Sequence, residues 1–130
     1  MDPRTAARAL AAVRVAIGAA LFAAPTLSTR AWIGDDAASA GAKVMIRGLG
    51  VRDAAIGLGA LTALSGGGDA RRWLEAGALS DLGDLAATLL HGRDRGVSRS
   101  LPILLTAGGA AVAGTVLARR LADDEVLDLG

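Results

Sequence analysis

The stretch Lys43–Leu64, KVMIRGLGVRDAAIGLGALTAL, decides how this chain is read. It has the length of a membrane span, yet Arg52 and Asp53 stand near its midpoint and Arg47 lies one to two turns earlier. Two other apolar segments also carry charge near their centres, Arg14 in the first and Asp81 with Asp84 in the third. Small residues recur along the stretch at helical spacing. Gly50, Gly57 and Ala60 share a face with Asp53, while Gly48, Ala55 and Gly59 share one with Arg52. The two faces lie about 100° apart around a helix. Small residues let helix backbones come close, so this stretch is expected to be a central helix with one neighbour on each face.

The 130 residues are one domain's worth. They are 52% hydrophobic but only 2% aromatic, with 18 glycines and a mean hydropathy of +0.45. That mixture suits helices packed closely by small residues in lipid better than a core built on large side chains. Net charge is +1, so no basic footprint points to nucleic acid. The absence of cysteine excludes a disulfide framework, a thiolate metal site and a cysteine nucleophile.

Working outward, the expected organisation is a single domain over 1–130, with helices at about 5–24, 43–64, 73–90 and 100–118. Pro25 should end the first helix, because it cannot continue the hydrogen-bond ladder. Residues 26–42 form the longest connection, with Leu27, Ala31 and Trp32 on one side of a short interfacial turn. Ser39 suits the cap of the second helix. Ser65-Gly-Gly-Gly-Asp69 is a break, and Trp73 opens the third helix. Residues 91–99 read as a charged turn, Ser100 as the cap of the fourth helix and Pro102 as part of its first turn. The acidic end, 123–130, is expected to fray. The two tryptophans sit beside apolar segments, as interfacial aromatics do. The fourth helix carries no charge and has Ala110 and Gly114 four apart, so it is expected to face lipid or a second copy.

Charge at depth sets the energetics of this reading. A central Arg or Asp costs roughly 3 kcal/mol to insert, and each leucine returns only about 0.5 kcal/mol. The third segment, with six leucines and two aspartates, should insert poorly alone. It needs the arginines of the other helices, protonation, or a water-filled cavity. Asp81 and Asp84 are three apart and share a face that continues through Gly77, Thr88 and His91. Three cations (Arg14, Arg47, Arg52) thus oppose three carboxylates (Asp53, Asp81, Asp84), as an ion-pair cluster or a ligand-binding pocket. Arg52 is expected to pair with Asp81 or Asp84 rather than with Asp53, whose side chain leaves the helix about 100° away. Paired aspartates can also raise one another's pKa and serve as proton donors. The single His91 reads as a helix-end residue, so no metal site is expected, nor any cofactor. The glycine runs are not phosphate loops, since no strand precedes them and no Lys-Ser/Thr follows.

RVAIGAALFAAPTLSTRAWIG, RGLGVRDAAIGLGAL and ALSDLGDLAATLL together resemble an uncharacterised family of small four-helix integral membrane proteins common in actinobacteria. The most specific part of the likeness is Arg47-Gly-Leu-Gly-Val-Arg-Asp53. The resemblance implies a membrane location and four helices, and it brings no catalytic residue with it. The size is also similar to that of small multidrug exporters, but their essential first-helix glutamate has no counterpart beside Arg14.

The sequence therefore predicts an all-α, four-helix transmembrane bundle, multi-pass in the cytoplasmic membrane, with a mid-membrane Arg/Asp cluster. Its expected role is an accessory subunit, or a binder or carrier of an apolar small molecule. The alternatives are an intramembrane isomerase or cyclase with an aspartate as proton donor, and a proton-coupled dimeric transporter. The expected partners are the lipid bilayer, an apolar molecule and a second copy of the chain.

Overall fold

The computed structural model describes the backbone of residues 2–92 and 97–128 and, within these, the side chains of 2–90, 101 and 104–123. Every regular element among the described residues is helical: α1 (Pro3–Ala23), α2 (Pro25–Ile33), a 3₁₀ turn (Gly34–Ala38), α3 (Ala40–Gly66), α4 (Ala70–Gly92) and α5 (Val97–Asp128).

Local chemistry explains where these elements start and stop. The Asp2 carboxylate accepts the Thr5 N–H at 3.0 Å and caps α1, and Pro3 occupies the first turn, where a missing N–H costs nothing. Pro25 stops α1 at Ala23 and opens α2, so much of the expected long connection is itself helix. Ser39 Oγ accepts the Ala42 N–H at 3.2 Å and caps α3. Gly67 ends α3 with φ +82°, a left-handed conformation that an L side chain rarely adopts. The N–H groups of Gly67 and Gly68 both donate to Ala63 O at 3.2 Å. Asp69 then caps α4 by accepting the Arg72 N–H at 3.2 Å, a role not read from the sequence. Ser100 and Pro102 lie outside the described side chains, and α5 begins at Val97, ahead of both. The expected turn at 91–99 is helical backbone at 91–92 and 97–99, and 93–96 lie outside the described residues.

α1 packs most extensively on α3, and α4 on α5, while α3 and α4 join the two pairs. The α1–α3 seam is a meeting of backbones. A methyl group on Gly50 would come within 2.5 Å of Gly18 O, and one on Gly57 within 2.7 Å of Ala11 O. On the other face of α3, Gly59 lies under the indole of Trp73 from α4. Gly114 of α5 approaches Leu74 O and Ala78 of α4, so this part of α5 faces its neighbour rather than turning outward. A core of Ala7, Ala63, Leu64, Ala70, Leu74, Ala118 and Leu121 fills the end of the fold near the α3–α4 turn. The buried set is rich in alanine, whereas larger aliphatics such as Ile17, Leu58, Leu79 and Val112 remain exposed.

The membrane reading is corrected here. Among the described residues, one helix is long and apolar enough to cross a membrane, α1, with a hydropathy of 1.7. α3 and α4 have the length but not the apolarity. Lys43, Arg47, Arg52 and Asp53 offset the leucines of α3, and Arg71, Arg72, Glu75, Asp81 and Asp84 those of α4. The expected fourth span includes Ser100, Pro102 and Ile103, whose side chains lie outside the described residues, and its helix runs on through Arg119, Arg120 and Asp123. The four-helix transmembrane bundle, the multi-pass location and the bilayer as partner are therefore set aside. So is the resemblance to the small membrane-protein family, which rested on the same spans. The accessory subunit, the apolar-ligand carrier, the intramembrane isomerase or cyclase and the dimeric transporter all lose the mid-membrane setting they required.

The glycine seam makes a direct prediction. Gly50→Ala should lower stability by about 1–3 kcal/mol, because the added methyl meets backbone that cannot yield without parting the helices. Gly48→Ala, in the same helix with nothing within 4 Å of the new methyl, should raise it by about 0.5–1 kcal/mol through helix propensity. Urea unfolding of the two variants beside the wild type measures both signs.

Candidate functional site

Close approach of α1 and α3 carries Arg14 to the carboxylates of two other helices. Its Nη1 donates to Asp53 Oδ1 of α3 at 3.3 Å. Its Nη2 donates to Asp81 Oδ2 of α4 and reaches Gly77 O, one turn earlier on α4, at 3.4 Å. The Arg14 side chain is only 10% exposed, and that of Asp81 only 8%. Burial at this level is tolerable for a charge only when it is paired and hydrogen-bonded.

Arg52 forms the second half of the cluster. It grips Asp84 with both terminal nitrogens, Nη1 to Oδ1 at 3.0 Å and Nη2 to Oδ2 at 2.6 Å. This two-point arrangement is the strongest geometry a guanidinium and a carboxylate can adopt. The Asp84 hydrogen bond holds the Arg52 proton more firmly than usual and raises its pKa, against the opposing effect of burial. Arg52 also folds back on its neighbour, with Nε and Nη2 at 3.1 and 3.0 Å from Asp53 Oδ1. Arg52 therefore holds Asp53 as well as Asp84, and the expected preference for Asp81 or Asp84 over Asp53 is corrected to that extent. The bonds diverge from the helix at different angles, but the long arginine side chain curls around the α3 surface. Asp53 Oδ1 becomes the shared acceptor of both guanidiniums.

Arg47 stands apart from this group. Its residue is exposed, and its Nε donates to Phe22 O at 3.1 Å. Phe22 lies in the last turn of α1, whose carbonyls have no partner within the helix. Arg47 satisfies one of them instead of joining the carboxylates, of which Asp53, on its own helix, lies more than a helical turn further along α3. The cluster therefore holds two guanidiniums and three carboxylates, not three of each.

That imbalance is visible atom by atom. Both oxygens of Asp84 are engaged by Arg52. Asp53 receives all its donors on Oδ1, and Asp81 receives its one donor on Oδ2. Asp53 Oδ2 and Asp81 Oδ1 accept no hydrogen bond from the described residues. Among the described residues, no enclosed side-chain oxygen or nitrogen is left without a partner, so both oxygens reach open space. Burial pushes the Asp81 carboxyl above the ordinary carboxylate range, Arg14 opposes that shift, and the charges of Asp53 and Asp84 add to it.

The open space is a cleft of about 310 Å³. It is small for a ligand site, at the lower end of a range of roughly 300–1,000 Å³. Arg14, Arg52, Asp53, Asp81 and Asp84 line its polar side. Leu10, Val13, Ile17 and Leu21 of α1 and Leu49 of α3 line its apolar side, with Ala107 and Ala110 of α5. α2 meets α1, α3 and α5 and adds Thr29 and Trp32. Thr29 is the largest fully buried side chain among the described residues, and its hydroxyl donates to Pro25 O at 2.7 Å. The sequence pointed to the charged residues but not to these walls, because α2 was read as a connection and Trp32 as an interfacial anchor. Among the described residues, no group of three or more His, Cys, Asp or Glu is placed to hold a metal ion. The His91 side chain lies outside the described residues. No protein-family model, no curated protein and no solved structure matches this chain.

Two measurements test the cluster. Arg14→Leu leaves the buried Asp81 without its one cation and should cost about 3–5 kcal/mol, and adding Asp81→Leu should recover part of that loss. Additive effects in thermal unfolding would mean that the two groups do not interact. The pH dependence has a definite sign. Asp81 holds its proton more tightly when folded than when unfolded, so the native state carries more protons between the two pKa values. Its contribution to stability is complete below the ordinary value of 3.8 and is lost as pH rises through the higher folded value. Asp81→Asn should therefore gain on the wild type as pH rises through that window, read from urea unfolding across a pH series.

Proposed function

We propose that this chain is a small binding protein whose cleft seats an amphipathic small molecule. The molecule's polar head meets the Arg/Asp cluster, and its apolar body lies against Leu10, Val13, Ile17, Leu21 and Trp32. The observation that carries this reading is the two-sided lining of one cleft, with the whole charged cluster on one side and aliphatic and aromatic side chains on the other. Small-molecule sites commonly have this composition, with mostly apolar walls for affinity and a few convergent polar groups for orientation. The five paired residues Arg14, Arg52, Asp53, Asp81 and Asp84 are the proposed head-binding set, and Arg47 is left out of it.

The ion pairs prepare this surface before any ligand arrives. Each guanidinium is held from two directions by carboxylates on different residues, so little side-chain freedom remains to be lost on binding. Removal of apolar surface from water, at about 25 cal/mol per Å², would supply most of the affinity. The polar head would supply selectivity, because a buried polar group left unpaired is penalised.

Binding of the neutral solvatochromic dye prodan tests the cleft. We expect saturable binding at one site per chain, with a blue-shifted emission. Ala110→Phe, which narrows the cleft from α5, should weaken that binding at least tenfold while the thermal midpoint stays near the wild-type value. Dye binding that is non-saturable, or indifferent to Ala110→Phe, would place the dye on the exposed aliphatic surface and defeat the proposal.

A further inference from the structure

We infer that the head group this cleft takes is a cation, an alkylammonium whose charge completes the Arg/Asp cluster. The inference rests on the binding role proposed above and names its ligand class. Three carboxylates share two guanidiniums, so the polar side of the cleft carries one uncompensated negative charge when all its groups are ionised. The uncompensated charge has an address. Asp53 Oδ2 and Asp81 Oδ1 receive no donor from the described residues, in side chains only 12% and 8% exposed. Both residues line the cleft. Neither oxygen is sealed from solvent, so donors on a ligand can reach both. An ammonium head offers up to three N–H donors and no acceptor, which is the complement of two bare acceptors. An anionic head would add a fourth negative charge beside them. The guanidiniums are not free to receive it, since both already hold carboxylates.

The surroundings of Asp81 support the same assignment. The charged groups that act on it are Arg14 from α1, Asp53 from α3 and Asp84 on its own helix, and Arg52 of α3 is held by Asp53 and Asp84. From α5 the cleft receives Thr106, Ala107 and Ala110, with no charge among them. Trp32 adds an aromatic face to the same cleft, and a cation beside such a face gains further attraction. A proton is the competing solution to the excess charge, and the raised affinity of Asp81 for one reflects the same unmet demand. Ligand and proton should then exclude one another. Alkylammonium binding strengthens as pH rises through the Asp81 titration and weakens below it.

Calorimetric titration of the purified full-length chain with three probes of equal chain length, hexylammonium, 1-hexanol and hexanoate, tests the inference. Trp32 emission in a Trp73→Phe background provides a second readout. Hexylammonium should bind at least tenfold more tightly than hexanol, and hexanoate more weakly than either. Asp81→Asn should bring the affinity for hexylammonium down to that for hexanol, and a cooperative thermal transition shows that the variant is folded. If Asp81→Asn fails to fold, lowering the pH of the wild type serves in its place, weakening hexylammonium and sparing hexanol. Hexanoate or hexanol binding as tightly as hexylammonium would overturn the cationic assignment while leaving an amphipathic cleft in place. Binding of none of the three would overturn both.

Discussion

The reach of Arg14 from α1 to carboxylates on α3 and α4 is the interaction on which the centre of this fold depends. It is made possible by an absence of side chains. Gly18, Gly50 and Gly57 bring the α1 and α3 backbones together so closely that a single methyl group would collide with a carbonyl. With the axes that near, a guanidinium leaving α1 arrives beside Asp53 and continues to Asp81. A wider separation filled by leucines would leave all three charges buried and apart, at several kcal/mol for each broken pair. Close packing and ion pairing are therefore one device. The glycines set the distance, and the charges make use of it.

The same device leaves a residue of unbalanced charge. Arg47 stands at the α1 terminus, where Phe22 O offers it a partner, and it does not balance the third carboxylate. The two carboxylate oxygens that receive no donor from the described residues are not sealed from solvent, and they belong to residues that line one cleft with aliphatic walls. Structure and proposed function meet at this point. The ion pairs hold most of the polar side rigid, and the unpaired remainder is what a ligand can satisfy. A fully balanced cluster would be stable and inert, whereas an excess of one charge makes a site selective for the opposite one.

The exposed aliphatics show where composition misleads. Mean hydropathy counts Leu79 and Val112 as it counts Leu74, but the first two lie outside and the third is 4% exposed. Alanine and glycine fill the seams, so the chain reads as apolar throughout without each helix being apolar enough to cross a membrane. Among the described residues only α1 meets that condition. The periodicity of α3 is real, but it describes two packing faces, one toward α1 and one toward Trp73 of α4. Small-residue faces of this kind serve helix contacts wherever close approach is needed, so they carry no information about the solvent around them.

By itself the sequence determined what depends on neighbours along the chain. The Ser39 cap, the stop at Pro25, the glycine break before α4 and the two faces of α3 follow from side-chain size and backbone chemistry over a few residues. So did the charged candidates, because charge inside an apolar stretch is visible at any position. Tertiary structure alone decided what depends on distance between helices. It separated Arg47 from Arg14 and Arg52, made Asp53 an acceptor for two arginines, folded 25–33 into a helix beside the cleft, and turned Trp32 from a supposed membrane anchor into part of the cleft wall. These outcomes rest on a few ångströms of side-chain reach across contacts remote in sequence. Residue periodicity records the direction in which a side chain leaves its helix, and it holds no record of what stands there to meet it.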